Sequence, residues 1–96
     1  MYKIVAHAKP NKSNENFEKI LGAFVVCLID FKEIDGAFAL ARFYIEYEDW
    51  EVIEFDEEYF IINSIDDLTD EYKGYYEEVN EFGYSMVFNT YDNIDE

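Results

Sequence analysis

One cysteine, one histidine, one proline and four glycines in 96 residues leave this chain very little of the usual machinery of catalysis and ligation. A lone Cys cannot close an internal disulfide, so there is no staple of the kind small secreted domains rely on. Zinc ligation by Cys and His is excluded by count. The glycines form neither a P-loop nor a GxGxxG fingerprint, no serine sits in a nucleophile elbow, and no cofactor motif is present. Basic residues are also scarce, at seven Lys and Arg in total. Phosphate recognition rests on those residue types, so direct binding of DNA or RNA is not expected. The longest apolar run, Ala23 to Ile29, is far too short to span a bilayer, and an anionic membrane surface would repel this many carboxylates. The opening MYKIVAHAKP is interrupted by Lys3, His7 and Lys9 and does not read as a signal peptide. A soluble, cytoplasmic protein is the expectation.

What the chain does have is acid, and it is unevenly placed. Residues 1 to 45 hold six Lys/Arg against five Asp/Glu, whereas residues 46 to 96 hold one Lys against eighteen, within a formal net charge of −16. Crowding like charges onto a small domain opposes the compact state and does nothing to specify a fold, so the segregation points to use by something outside the chain. Half the residues are apolar and a fifth are aromatic, which separates this composition from that of a disordered acidic tail. The length suits one small domain able to bury a core.

Hydrophobic periodicity supplies the elements. Tyr2, Ile4, Ala6 and Ala8 alternate with Lys3, Val5, His7 and Lys9, predicting a half-buried strand that Pro10 stops. Asn11 to Lys19 reads as a loop, with a helical turn that Ser13 or Asn14 could cap. Ala23 to Ile29 is apolar on both faces and fits a strand covered on both sides or one at an interface. Asp35 is placed to cap a helix from about Gly36 to Asp49, with Ala37, Leu40, Ala41 and Tyr44 facing a sheet. Phe38, Phe43, Ile45 and Tyr47 make its other faces unusually apolar, and the Phe38/Phe43 face is a candidate contact patch. Trp50 to Phe55 predicts a third strand, Asp56-Glu57-Glu58 a turn or bulge, and Tyr59 to Ile62 a return to extended chain. Ser64 and Asp67 resemble a capping box opening a helix over about 66 to 82, whose inward stripe is Leu68, Tyr72, Tyr75, Val79 and Phe82. Gly83 ends that helix, Tyr84 to Tyr91 is the last strand, and 92 to 96 is expected to fray. The order β-β-α-β-α-β predicts a single α+β domain: a sheet of about four strands with two helices on one face, a sandwich of ferredoxin-like or related type.

Little reactive chemistry is expected from this arrangement. His7 falls on the polar face of its strand while Cys27 shares a face with Val25 and Ile29, so the two are not expected to form a nucleophilic pair. No window meets the EF-hand pattern, so no metal site is expected. With 23 carboxylates, proximity of some pair is guaranteed and therefore signals nothing. The chain is not expected to be an enzyme.

A charged and aromatic recognition surface remains. Tyr44, Tyr47, Trp50, Phe55 and Tyr59 are interleaved with carboxylates, and Tyr72, Tyr75 and Tyr76 sit among Asp70, Glu71, Glu77 and Glu78. Aromatics give buried anchor area at interfaces and carboxylates give steering and pairing with Lys and Arg. The candidate partner-binding residues are Glu46, Glu48, Asp56, Glu57, Glu58, Tyr59, Asp70, Glu71, Tyr76, Glu77 and Glu78. The same aromatics would also serve as core and the same acids as solubilising surface.

In character, over Tyr44 to Glu81, the chain resembles the small acidic immunity proteins of bacterial toxin systems, both the inhibitors of nuclease colicins and those of contact-dependent growth inhibition. The resemblance implies a tight complex with a basic toxin domain, such as a nuclease, whose active site or adjoining surface the inhibitor covers. Two alternatives stand beside it: a phage-type DNA mimic acting on a nucleic-acid-binding protein, and a non-catalytic homodimeric structural or regulatory module.

Overall fold

The computed structural model describes residues 1–15 and 17–92. Strands β1 (Tyr2–Pro10) and β2 (Gly22–Ile29) pair antiparallel, helix α1 (Ile34–Tyr47) leads to β3 (Trp50–Ile61), and helix α2 (Asp70–Phe82) leads to β4 (Tyr84–Tyr91). The four strands form one sheet in the order β3-β1-β2-β4, antiparallel at every junction. The α+β class, the strand number and the β-β-α-β-α-β order are those the periodicity predicts.

The layering differs from that prediction. Cross-strand partners share a face, so Ile4, Ala6 and Ala8 stand beside Cys27, Val25 and Ala23 on one side of the sheet. There they pack against Ala37, Ala41 and Ile45 of α1, and the alanines on both sides let the helix lie close. Leu28 faces the other side and meets Val79 of α2 together with Ile62 and Leu68 in a second, smaller core. The two helices thus cover opposite faces, not one. This is why β2 is apolar on both sides: Val25, Cys27 and Ile29 serve α1, while Leu28 serves α2.

Helix α1 begins two residues before the expected Gly36, with Glu33 as its N-cap and Asp35 inside the first turn. Its inward stripe is completed by Ile45, expected on an outer face. The chain then turns through Asp49, whose φ of 68° is left-handed. That turn is held by the Asn11 amide and the Asn14 side chain, both donating to the Asp49 carbonyl at 3.0 and 3.2 Å. Around Asn14 the described residues form hydrogen-bonded turns, not a helix.

Strand β3 is continuous but irregular. Tyr59 opposes Ile4 and Phe55 opposes Ala6, so Asp56, Glu57 and Glu58 together face only Val5 in a bulge. A second shift leaves Ile53 extra between Val52 and Glu54.

The capping box is present, with the Asn63 and Ser64 amides donating to Asp67 Oδ2 at 2.8 and 3.3 Å, but it closes only a 3₁₀ turn over Ile65–Asp67. Leu68 then returns to extended geometry and enters the core, and Thr69 becomes the N-cap of α2. Helix α2 therefore starts at Asp70, four residues later than expected. Tyr72 and Tyr75 are partly buried against the small core as predicted, whereas Phe82 is 65 % exposed. Gly83, at φ 91°, ends the helix in the left-handed region that glycine adopts without strain. Of the tail expected to fray, residues 93–96 lie outside the described residues. No helix among the described residues is long and apolar enough to cross a membrane.

Candidate protein-binding surface

The predicted surface residues divide among separate regions of the molecule. Glu46 and Glu48 sit at the C-terminal end of α1, Asp56, Glu57 and Glu58 on the β3 bulge, Asp70 and Glu71 in the first turn of α2, and Glu77 and Glu78 in its second half. All nine are exposed. Three exposed ion pairs form among the described residues: Lys9 with Glu51, Arg42 with Glu46, and Lys73 with Asp70, at 3.9, 3.9 and 3.4 Å. Pairs of this kind contribute little. Most of the negative charge is spent on no internal contact.

The two aromatic candidates are packing residues as well. Tyr59 meets Tyr2 edge-on at 5.8 Å and Phe38 at 6.1 Å, and Tyr76 is half-buried against the small core. Phe38 also packs edge-on against Phe55 at 5.1 Å, whereas Phe43 and Tyr47 lie exposed, so Phe38 and Phe43 do not form one outer face. Trp50 is buried and Tyr44 stacks on Tyr84 with ring centroids 3.7 Å apart, both as core.

The structure does bring Glu48 and Glu78 together. Both line one open groove with Phe82, Tyr84, Ser85, Met86 and Phe88. Glu48 caps the C-terminal end of the helix on one face of the sheet and Glu78 belongs to the helix on the other, so this groove runs along the outer edge of β4. Ser85, the buried polar residue of the strand, donates a hydrogen bond to Glu78 Oε1, which fixes that carboxylate at the groove wall. Sequence reasoning missed Phe82, Ser85, Met86 and Phe88 as surface candidates. The signal available was a gap: Phe82 to Tyr91 is the longest uncharged run in the acidic half.

His7 and Cys27 face opposite sides of the sheet, since His7 pairs with Phe24 and Cys27 with Ile4. His7 stacks on Phe24 and hydrogen-bonds the Tyr91 hydroxyl on the part of the sheet that α2 leaves open. Burial pushes the Cys27 thiol up to about 12, so it is protonated at neutral pH. Burial also raises the Tyr72 phenol, reinforced by the charge of Glu71. Among the described residues no three His, Cys, Asp or Glu side chains group as metal ligands.

The thiol yields a stability prediction. In the unfolded chain Cys27 ionises near its ordinary 9.0, in the folded chain only near 12, so the unfolded state loses the proton first and stability falls as pH rises from 9 towards 12. One unit above the lower value the loss amounts to about 1.4 kcal/mol. Urea midpoints at neutral pH and at pH about 10 should show this decline for the wild type and a smaller one for Cys27→Ala. Equal declines would mean that the tyrosines alone carry the alkaline response.

The chain matches no family model, no curated protein and no solved structure at a significant level.

Proposed function

We propose that this domain is an acidic protein-binding inhibitor, acting in the manner of an immunity protein that neutralises a basic toxin domain by covering its active site or an adjoining surface. The observation that supports this reading is the unspent charge. Of the 23 carboxylates, three meet a cation among the described residues, and none of those three is buried. A negative surface of this density attracts a protein that must itself be positive, as any nuclease that holds phosphate is, and it repels acidic bystanders. The same reading places the chain in the cytoplasm, where a single thiol stays reduced.

The test is capture from the source organism at low and high salt, followed by kinetics on the purified pair. A near-stoichiometric basic protein should be retained. Its association rate should fall steeply as salt shortens the range of the field, to about 8 Å at physiological ionic strength, while dissociation changes less. An association rate indifferent to salt would reduce the charge to a solubility device.

A further inference from the structure

The two free edges of the sheet are built differently. On β3, Glu51, Glu54, Asp56, Glu57 and Glu58 line the strand and two bulges break its ladder. Charges and bulges of this kind prevent an edge from pairing with a foreign strand. On β4 the sequence YSMVFNTY carries no charge and no proline, and its register with β2 runs without a shift from Tyr84 to Tyr91. No described strand covers its outer side.

The ladder fixes which backbone groups that edge offers. The Asp30 amide donates to the Gly83 carbonyl at 2.9 Å, in line with the β2–β4 register, so Gly83 is directed at β2. Directions alternate along an antiparallel strand, so Ser85, Val87, Asn89 and Tyr91 also point inward, and Tyr84, Met86, Phe88 and Thr90 direct their N–H and C=O groups outward. Beside those groups the groove supplies apolar walls in Phe82, Met86 and Phe88 and a carboxylate on each flank, Glu48 and Glu78.

We propose that β4 is a docking edge that takes an extended, basic segment of the partner protein as a fifth strand. The inference rests on the basic-partner reading above and names where and how that partner binds. Backbone hydrogen bonds would provide the pairing, and lysines or arginines on alternate faces of the incoming strand would meet Glu48 and Glu78. A second copy of this chain fits the edge geometrically but would bring another charge of −16 against the same two carboxylates.

The probes are an eight-residue peptide of alternating lysine and valine and its counterpart of alternating glutamate and valine, with amide hydrogen exchange and affinity as readouts. Addition of the basic peptide should slow exchange of the Tyr84, Met86, Phe88 and Thr90 amides. Thr90→Pro removes an outward N–H group and an exposed side chain, so it should keep the fold, whereas Met86→Pro also removes a side chain packed against the main core; each variant that remains folded by circular dichroism should bind the basic peptide about tenfold more weakly. Binding of the basic peptide without protection of those amides, or undiminished binding by folded Thr90→Pro, overturns the docking edge and leaves the basic-partner reading standing. Protection by the acidic peptide as strong as by the basic one overturns the charge argument and leaves the edge. Protection of the same amides in the free protein that grows with its concentration would identify a second copy as the occupant, and failure of both peptides to bind would overturn the proposal outright.

Discussion

Val79→Asp is expected to abolish cooperative folding. Val79 is 0 % exposed and packs with Leu28, Ile62 and Leu68, the buried residues that join α2 to the sheet. The buried members of that cluster are all apolar and offer a carboxylate no partner. An unpaired charge there would either stay ionised at a cost of several kcal/mol or take up a proton and leave a polar group without a partner. The total stability of a domain of this size is about 5–14 kcal/mol, and single changes that bury an unpaired charge belong to the most costly class, at about 4 kcal/mol or more. Urea unfolding followed by circular dichroism should show a lost or greatly lowered midpoint. Asp70→Asn is the matched control: that side chain is 99 % exposed, and its replacement should move stability by no more than about 0.5 kcal/mol. A loss at Val79 below about 1 kcal/mol would contradict the packing of α2 described here.

Val79 and Phe82 show how far local pattern carries. Val79 lies on a stripe that helical periodicity identifies, and the structure buries it. Phe82 lies on the same stripe, yet it is exposed because α2 passes over one end of the sheet and its last residue overhangs the β4 edge. Periodicity states which residues share a face of a helix, not where the sheet beneath it ends. The capping box at Ser64 and Asp67 was equally legible and equally local. It forms, but Leu68 leaves helical geometry to fill the small core, and that tertiary demand sets the start of α2. Opposite-face layering had a visible sign in β2, apolar on both sides. What local pattern could not supply was the handing of α1 to one face and α2 to the other, which depends on strand order over the whole chain. The candidate surface shows the same division. That its carboxylates are exposed follows from residue type. That Glu48 and Glu78, thirty positions apart, flank one groove while Asp56, Glu57 and Glu58 sit on the far edge follows only from β3-β1-β2-β4.

That separation makes the contributions of the two acidic edges experimentally distinct. Three strand spacings place the β3 bulge about 14 Å from β4. This exceeds the screening length of about 8 Å at physiological ionic strength but lies well inside the length of about 30 Å at 0.01 M salt. Reversal of Asp56, Glu57 and Glu58 to lysine should therefore slow association with the basic partner about tenfold at low salt and barely alter it at physiological salt. Dissociation should be unchanged at either salt, because these residues touch nothing at the β4 groove. Because the bulge residues are exposed, the reversal should leave the fold intact, and relief of like-charge crowding should stabilise the domain slightly. Glu48→Lys behaves differently. It places a cation against the proposed basic strand at contact range, where screening is weak, so dissociation should accelerate about tenfold or more at both salt concentrations. Glu48 makes no ion pair among the described residues, so its reversal carries no structural penalty that could mimic the effect. Stopped-flow association and dissociation rates at the two salt concentrations separate the outcomes. Faster dissociation in the triple variant with Glu48→Lys neutral would move the contact surface to the β3 edge, and the bulge would then be its centre.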